Sequence, residues 1–200
     1  MNNKKQKVLI AISGGVDSSV AAYLMKEAGY DCVGATMKLF QKENSQSSAD
    51  YTRCFPDDAD DAESVAISLG IPFYVFNFTD CFEEWVIRRF AEAYQNGATP
   101  NPCINCNRYL KFGRLFQCAE ELGCDYIVTG HYARIEPDQV SGRYLLKKSI
   151  TDTKDQSYVL YNLTQEQLAH TLFPLGHMAK SEVRTIAGAQ GFSSARRRES

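Results

Sequence analysis

Apolar runs alternate with segments of helical apolar spacing along the first 129 residues. Residues 8–12 form a continuous apolar run followed by Ser13 and two glycines, which is typical of a strand buried on both faces of a parallel sheet. Segment 18–28 has apolar residues at helical spacing and is followed by Gly29, a common helix stop. The same patterns predict strands at 32–37, 72–76 and 125–129 and helices at 57–69, 81–94 and 106–122.

This order of elements predicts an α/β protein with a doubly wound parallel sheet. After Gly130 the pattern changes: segments 134–135 and 144–147 flank a turn-forming sequence and predict a hairpin. Helical patterns follow at 164–171 and 179–190. We therefore predict a doubly wound domain over residues 1–148 and the start of a smaller mixed or helical domain over residues 149–200. Residues 41–56 are polar and predict a flexible loop.

The composition narrows the class of protein. The chain has 200 residues, 12% aromatic, and a formal charge of −2, so disorder and a strongly basic nucleic-acid footprint are both excluded. No apolar run approaches the roughly 18–20 residues that span a bilayer, and run 8–12 is too short for a signal peptide. Seven cysteines, an odd number, favour a reducing compartment. We predict a cytoplasmic protein with no membrane partner.

Segment 13–19, with the sequence SGGVDSS, joins the first predicted strand to the first helix. Two glycines allow close approach of a ligand, and the amides at a helix start can cradle an anion. The serine hydroxyls add donors, and Asp17 beside phosphates suggests Mg²⁺. The segment lacks the Gly-Lys-Ser/Thr ending of a Walker loop, and an ordinary helix cap is the alternative. It resembles the SGGxDS loop of PP-loop ATP pyrophosphatases, which implies binding of ATP.

Segment 99–107, with the sequence TPNPCINCN, is the second informative stretch. Two prolines stiffen it, and Pro102 restricts Asn101 to extended conformations. Cys106 is expected near the start of the next helix, whose positive end would lower the pKa of its thiol and favour a nucleophile.

Several other interpretations of this cysteine pair remain open. Structural zinc needs four ligands, and one C-x-x-C supplies only two. An iron–sulfur cluster held by Cys103 and Cys106 needs a third ligand, such as Cys54, Cys118 or Cys124. A redox pair or two unreactive thiols are further alternatives.

Three other segments carry candidate contacts. Gly130 and His131 follow the fourth predicted strand and are expected to face the same crevice as segment 13–19, although a lone histidine is often structural. Segment 154–158 has a lysine, an amide and a tyrosine that could contact phosphate and a base, or it is an ordinary surface loop. Basic residues at 108, 111 and 114 could contact an RNA backbone, or they form a solvated helix face.

Taken in order, these motifs are similar to those of the tRNA-specific 2-thiouridylases, the MnmA/TrmU family. The motifs are segment 13–19, called the phosphate loop below, and then Asn-Pro-Cys-x-x-Cys-Asn, Thr-Gly-His-Tyr-Ala-Arg, Lys-Asp-Gln-Ser-Tyr, Phe-Pro-Leu-Gly and Lys-Ser-Glu-Val-Arg. The resemblance implies an adenine nucleotide alpha hydrolase-like fold and thiolation at C2 of the wobble uridine of tRNA.

The resemblance also assigns roles to single residues. ATP would contact Ala11, Ile12, Ser13, Gly14, Gly15, Val16, Asp17, Ser18, Met37 and Gly130. The target base would lie at Asn101, Pro102 and Cys103, while tRNA would also contact His131, Lys154, Asp155 and Gln156. Cys106 would be the catalytic nucleophile.

The implied mechanism has two stages. ATP adenylates the C2 oxygen of uridine, and a persulfide on a second cysteine then delivers sulfur, which Cys106 helps to release by forming a disulfide with that cysteine. A sulfur-donor protein, either a cysteine desulfurase or a relay protein, would charge the persulfide.

Two departures from the family pattern matter. Many members carry Asp where this chain has Cys103, which puts an acid–base role there in doubt. In the family a Glu/Asp-Ser pair comes a few residues before the persulfide cysteine, and this chain stops at Glu199 and Ser200. We therefore expect a fragment that lacks the persulfide cysteine. A non-catalytic nucleotide- or tRNA-binding remnant and a cysteine-ligated iron–sulfur protein are the alternatives.

Overall fold

Five parallel strands form the central sheet of the computed structural model, which describes residues 5–40 and 57–192. Their order across the sheet is β3-β2-β1-β4-β7, and β5 and β6 form a separate antiparallel hairpin. The strands are β1 (Lys7–Ala11), β2 (Asp31–Lys38), β3 (Phe73–Asn77), β4 (Tyr126–Val128), β5 (Ala133–Pro137), β6 (Tyr144–Lys148) and β7 (Thr171–Leu172). Ile10 in the central strand lies opposite Gly34 of β2 and Val128 of β4. The predicted doubly wound sheet and the predicted hairpin are confirmed.

Alternate residues of the central strand point to opposite faces of the sheet. Val8 and Ile10 belong to one apolar cluster, whereas Leu9 belongs to the other. All three are fully buried. This explains the continuous apolar run in the sequence, because a strand covered on both faces needs no polar face.

Helices cover both faces of the sheet. The α-helices are α1 (Val16–Glu27), α2 (Asp57–Leu69), α3 (Thr79–Phe82), α4 (Arg89–Gln95), α5 (Pro102–Asn105), α6 (Phe116–Glu121), α7 (Gln165–Ala169) and α8 (Lys180–Ala189). A π-helical segment, Glu83–Arg88, joins α3 to α4, and a second one, Cys106–Leu115, joins α5 to α6. Residues 102–121 are thus one continuous helix, named the cysteine helix below.

The two apolar clusters correspond to two helical layers. Buried residues of α1, α2 and α8 pack on one face of the sheet. The other face is covered by the α3–α4 helix and the cysteine helix. No helix among the described residues is long and apolar enough to cross a membrane.

The cysteine helix begins earlier than the sequence pattern indicated. The sequence pattern predicted a helix from residue 106, but the helix starts at Pro102 and the Asn101 side chain caps it by accepting a hydrogen bond from the Cys103 amide at 2.9 Å. Proline suits the first helical position because it has no N–H to leave unpaired there. Cys106 therefore lies a full turn inside the helix.

The residues after 148 share the sheet and the core of those before. β7 pairs with β4, and Val183 and Ala187 of α8 are buried in the same cluster as Val20 of α1. A separate domain over residues 149–200 stays a prediction. The flexible loop predicted at 41–56, including Cys54, lies outside the described residues.

Candidate functional site

The phosphate loop connects the carboxyl end of β1 to the start of α1. Gly14 has a φ of +73°, a left-handed conformation that favours glycine. Gly15 is extended and is the N-cap of α1. The first amide groups of an α-helix have no partner within the helix, so the loop directs N–H groups and the positive end of α1 toward the same point. This geometry suits a phosphate group.

Two serine hydroxyls hold this loop in shape. Ser18 Oγ accepts a hydrogen bond from the Ser13 amide at 3.1 Å and donates one to the Gly15 carbonyl at 3.0 Å. Ser19 Oγ donates to the same carbonyl at 2.9 Å. Both hydroxyls therefore hold the backbone of the loop in this structure. Their expected role as donors to a phosphate stays a prediction.

Gly130 packs directly against the start of α1. A Cβ atom built on Gly130 would lie 2.8 Å from the Asp17 carbonyl carbon and 2.8 Å from the Ser18 amide nitrogen. Only glycine allows β4 and α1 to approach this closely. The carboxyl end of β4 thus lies beside the phosphate loop, as the sequence predicted.

Asp17 is the centre of a polar contact that the sequence did not predict. Its Oδ1 accepts a hydrogen bond from Tyr132 Oη at 2.7 Å and an ionic contact from Lys180 Nζ at 2.6 Å. Lys180 also lies 5.7 Å from the centre of the Tyr132 ring. Both residues occur in motifs noted above, but local pattern cannot pair residues 163 positions apart.

His131 is buried in the core. It is only 8% exposed, its Nδ1 lies 2.6 Å from Thr129 Oγ1, and its ring contacts those of Phe112 and Phe173. Burial, aided by the nearby Lys111 charge, lowers the pKa of His131 well below its usual value. The structure thus places this residue as a neutral core histidine rather than in an open crevice.

The start of the cysteine helix presents one exposed and one partly buried thiol. Cys103 is exposed and Cys106 is partly buried. Burial raises the pKa of Cys106, the Lys111 charge opposes this, and Cys103 adds to it. The expected lowering of this pKa by the helix end is therefore wrong, because that effect fades within the first turn and Cys106 lies beyond it.

The start of the cysteine helix lies toward the phosphate-loop edge of the sheet. Its far end lies at the opposite edge, where the Leu122 carbonyl accepts a hydrogen bond from Lys7 at 2.8 Å. Phe112 is already level with the carboxyl end of β4, since its ring centre lies 6.1 Å from that of His131. Cys106 is six residues nearer the start, at most roughly 9 Å further along the axis.

The segment after the hairpin is fastened to Tyr132. The Tyr132 amide donates to Gln156 Oε1 at 3.0 Å, and the Gln156 amide donates to the Tyr132 carbonyl at 2.9 Å. Asp155 accepts hydrogen bonds from the Ser149 amide and the Ser157 hydroxyl. Burial raises the pKa of Asp155, but these hydrogen bonds outweigh it and the net pKa is lowered. Lys154 is the last residue of a short 3₁₀ turn beside them.

Comparison with known proteins identifies the family. The family described as tRNA methyl transferase HUP domain matches residues 6–200. The chain belongs to this family. It is 54% identical over 188 residues to the tRNA-specific 2-thiouridylase MnmA of Clostridioides difficile, covering 94% of this chain and 52% of that relative. It is 53% identical to the protein of the same name from Clostridium acetobutylicum, with the same coverage. The chain therefore spans about half the length of these relatives.

Solved structures of low sequence identity share the fold. The NMN synthetase of Francisella tularensis superposes with a TM-score of 0.55 at 17% identity, covering 99% of this chain and 67% of that one. The glutamine-dependent NAD⁺ synthetase of Acinetobacter baumannii superposes with a TM-score of 0.54 at 15% identity, covering 94% and 29%. At this identity the likeness establishes the fold alone, and it agrees with the doubly wound sheet predicted from the order of strands and helices.

The described residues hold no group of three or more His, Cys, Asp or Glu that could bind a metal ion. Cys118 is twelve residues beyond Cys106 on the same helix, and Cys124 follows the end of that helix at the opposite edge of the sheet. Neither can join Cys103 and Cys106 around one cluster, and Cys54 lies outside the described part of the chain. The structure thus adds no support for an iron–sulfur cluster.

Proposed function

We propose that this chain is the ATP-using part of a tRNA-specific 2-thiouridylase, which activates the C2 oxygen of a wobble uridine before sulfur replaces it. The observation that carries the proposal is the position of Gly130. It packs on the start of α1, and its neighbour His131 packs on the cysteine helix. The segment that follows β4 thus contacts both the helix after the phosphate loop and the helix that carries the thiols. The relatives' name supplies the substrate, a uridine in tRNA.

The proposed ATP site lies at the loop after β1. Its phosphates would lie on the amides of residues 14–18, beside Ser13, whose own amide donates to Ser18 Oγ. The nucleoside would lie among Ala11, Ile12, Met37 and Gly130. The left-handed Gly14 and the unpaired amides of the α1 start fit a polyphosphate. Lys180 adds a positive charge there. Mg²⁺ would approach Asp17, which now contacts Lys180, and would screen charge on the phosphates.

The proposed chemistry begins at the uridine. Its C2 oxygen attacks the α-phosphorus of ATP, the bond to the β-phosphate breaks, and pyrophosphate leaves. Sulfur then attacks C2 and AMP departs with the oxygen. The sulfur comes from a persulfide on a second cysteine, and the Cys106 thiolate releases it by attacking the sulfur atom of that cysteine. The product is a disulfide, which a reductant must reopen before the next cycle.

The other proposed contacts surround the start of the cysteine helix. Asn101, Pro102 and Cys103 are all exposed, which supports a role at the target base. Segment 154–156 is held next to Tyr132, within reach of the same edge of the sheet. A cysteine desulfurase or relay protein is the proposed sulfur donor. The described cysteines are free thiols, in keeping with a cytoplasmic site of action.

One observation favours a second candidate function. Burial raises the pKa of Cys106, so less of its thiol is ionised at neutral pH. A module that binds ATP or tRNA without completing sulfur transfer would have no need of an ionised thiol. The two candidates differ in whether tRNA stimulates the release of pyrophosphate.

The test measures pyrophosphate release from ATP with and without unmodified tRNA. We expect tRNA to stimulate release, and we expect Asp17→Ala and Ser13→Ala to abolish it. Ser64→Ala is the matched control, since Ser64 is an exposed serine on α2 that bonds only to the backbone of its own helix. Variants at Asp17 and Ser13 that match the parent would refute the proposed function. ATP binding without any release would favour the second candidate.

A further inference from the structure

An arginine–aromatic cluster links the two helices on the cysteine side of the sheet. The Arg89 guanidinium lies 4.3 Å from the centre of the Trp85 ring and 5.1 Å from that of Tyr109. The Arg108 guanidinium lies 5.1 Å from the Tyr109 ring centre. The Trp85 and Tyr109 rings stack on each other at 4.7 Å. These four residues are called the arginine stack below.

The arginine stack forms between π-helical turns. Trp85 belongs to the first π-helical segment, and Arg108 and Tyr109 belong to the second. Such turns are rare and occur frequently at functional sites. Tyr109 follows Cys106 by three residues, so the stack begins within about one helical turn of Cys106.

Within residues 5–40 and 57–192, no carboxylate forms an ion pair with either guanidinium of the stack. Ion pairs such as Glu136 with Arg134 and Asp17 with Lys180 lie elsewhere in the fold. Both arginines are exposed. Their positions over aromatic rings orient them before any partner arrives, which reduces the entropy lost on binding. The planar fork of arginine matches phosphate oxygens.

We propose that the arginine stack is a binding site for the phosphodiester backbone of RNA, next to the nucleotide that reaches Cys103 and Cys106. This inference rests on the proposed function, because tRNA is the RNA that such an enzyme would hold. The whole chain carries a charge of −2, so attraction for a polyanion must come from local charge. An acidic segment of a partner protein is the competing occupant.

Trp85 allows a test on the unmodified protein because the chain has a single tryptophan. Its fluorescence reports on the stack directly. We expect tRNA to change the emission of Trp85 in a saturable way, and ATP alone to leave it unchanged. Saturable binding of tRNA by an independent method with no change in emission would overturn the inference.

Variants then identify the charge responsible. Arg89→Gln and Arg108→Gln remove the charge and keep a polar side chain of similar shape. Arg143→Gln is the control, since Arg143 is an exposed arginine in the turn between β5 and β6 rather than on either helix of the stack. Binding of tRNA is measured at several salt concentrations, and binding of ATP is measured beside it.

We expect the double variant Arg89→Gln, Arg108→Gln to weaken tRNA binding by about tenfold or more and to reduce the salt slope by about 2. Arg143→Gln should stay close to the parent, and ATP binding should be unchanged in all variants. Equal losses at Arg143 and at the stack, or none at the stack, would overturn the inference. Polyglutamate serves as the probe for an acidic protein segment. If the stack variants lose binding of polyglutamate but keep binding of tRNA, the occupant is an acidic protein and the inference is overturned. A parent that binds ATP but no tRNA would refute the proposed function as well.

Discussion

Replacing Lys180 by methionine tests the ionic contact that joins α8 to the phosphate loop. Lys180 Nζ and Asp17 Oδ1 are 2.6 Å apart. Two unit charges at that distance attract by about 6 kcal/mol at an effective dielectric constant of about 20. The side chains are 19% and 33% exposed, so desolvation and solvent screening cancel most of this attraction. We expect Lys180→Met to lower the free energy of unfolding by about 1–2 kcal/mol.

The same variant should weaken ATP binding more than it weakens the fold. A charge-assisted hydrogen bond to a phosphate contributes about 1.5–3 kcal/mol, so the Kd for ATP should rise by about 10- to 100-fold. The assays are urea unfolding and ATP titration. Lys26→Met is the control, because Lys26 lies at the other end of α1, where it bonds to the Leu69 carbonyl.

A double-mutant cycle with Asp17→Asn isolates the pair. We expect a coupling free energy of about 1 kcal/mol between Lys180 and Asp17 in unfolding. Coupling below about 0.3 kcal/mol, the level of additivity for independent sites, would refute the ionic contact. An ATP affinity unchanged in Lys180→Met would refute the role of this lysine at the phosphate site.

Three further predictions follow from local geometry. Gly130→Ala should cost about 1–3 kcal/mol of unfolding free energy and weaken ATP binding, because the added Cβ meets the α1 backbone, whereas Gly188→Ala, with open space at its Cβ, should not destabilise. Because burial raises the pKa of Cys106, its alkylation at neutral pH should be slow and should accelerate as pH rises. Since the Lys111 charge lowers this pKa, alkylation in Lys111→Met should be slower than in the parent at the same pH. Burial lowers the pKa of His131 in the folded chain. In the unfolded chain this histidine takes up a proton at about pH 6.5, while in the folded chain it does not. Stability should therefore fall from about pH 7.5 to 5.5, and fall less in His131→Leu.

Each of these predictions has a contrary outcome. Equal urea midpoints for Gly130→Ala and the parent would contradict the close packing of Gly130 against the start of α1. Fast alkylation of Cys106 at neutral pH, located by peptide mapping, would contradict its burial. An acid dependence that is the same with and without His131 would assign the lost stability to other groups.

Periodicity predicted the elements that pack on both faces of the sheet. Segments 8–12 and 18–28 were recognised because buried strands and amphipathic helices leave distinct spacings of apolar residues. The start of the cysteine helix was missed, since Asn101 and Pro102 are typical of loops as well as of helix starts. The π-helical turns were not predicted, because over one or two turns their spacing of apolar residues cannot be told from that of an α-helix.

The candidate site was predicted in part. The phosphate loop and Gly130 could be recognised because glycines directly after a buried strand allow the close backbone approach that an anion site needs. The contact between Asp17 and Lys180 depends on how α8 packs on α1, which no local pattern encodes. The burial of His131 could not be read from its position at a strand end, because the cysteine helix that covers it comes from another part of the chain.

A structure of the chain with a non-hydrolysable ATP analogue tests the central claim most directly. Our account predicts phosphates on the amides between Gly14 and Ser18, with the α-phosphate on the side of Gly130 and with the Cys106 thiol facing the same cleft. A nucleotide bound elsewhere, or Cys106 separated from the phosphates by the sheet, would contradict it.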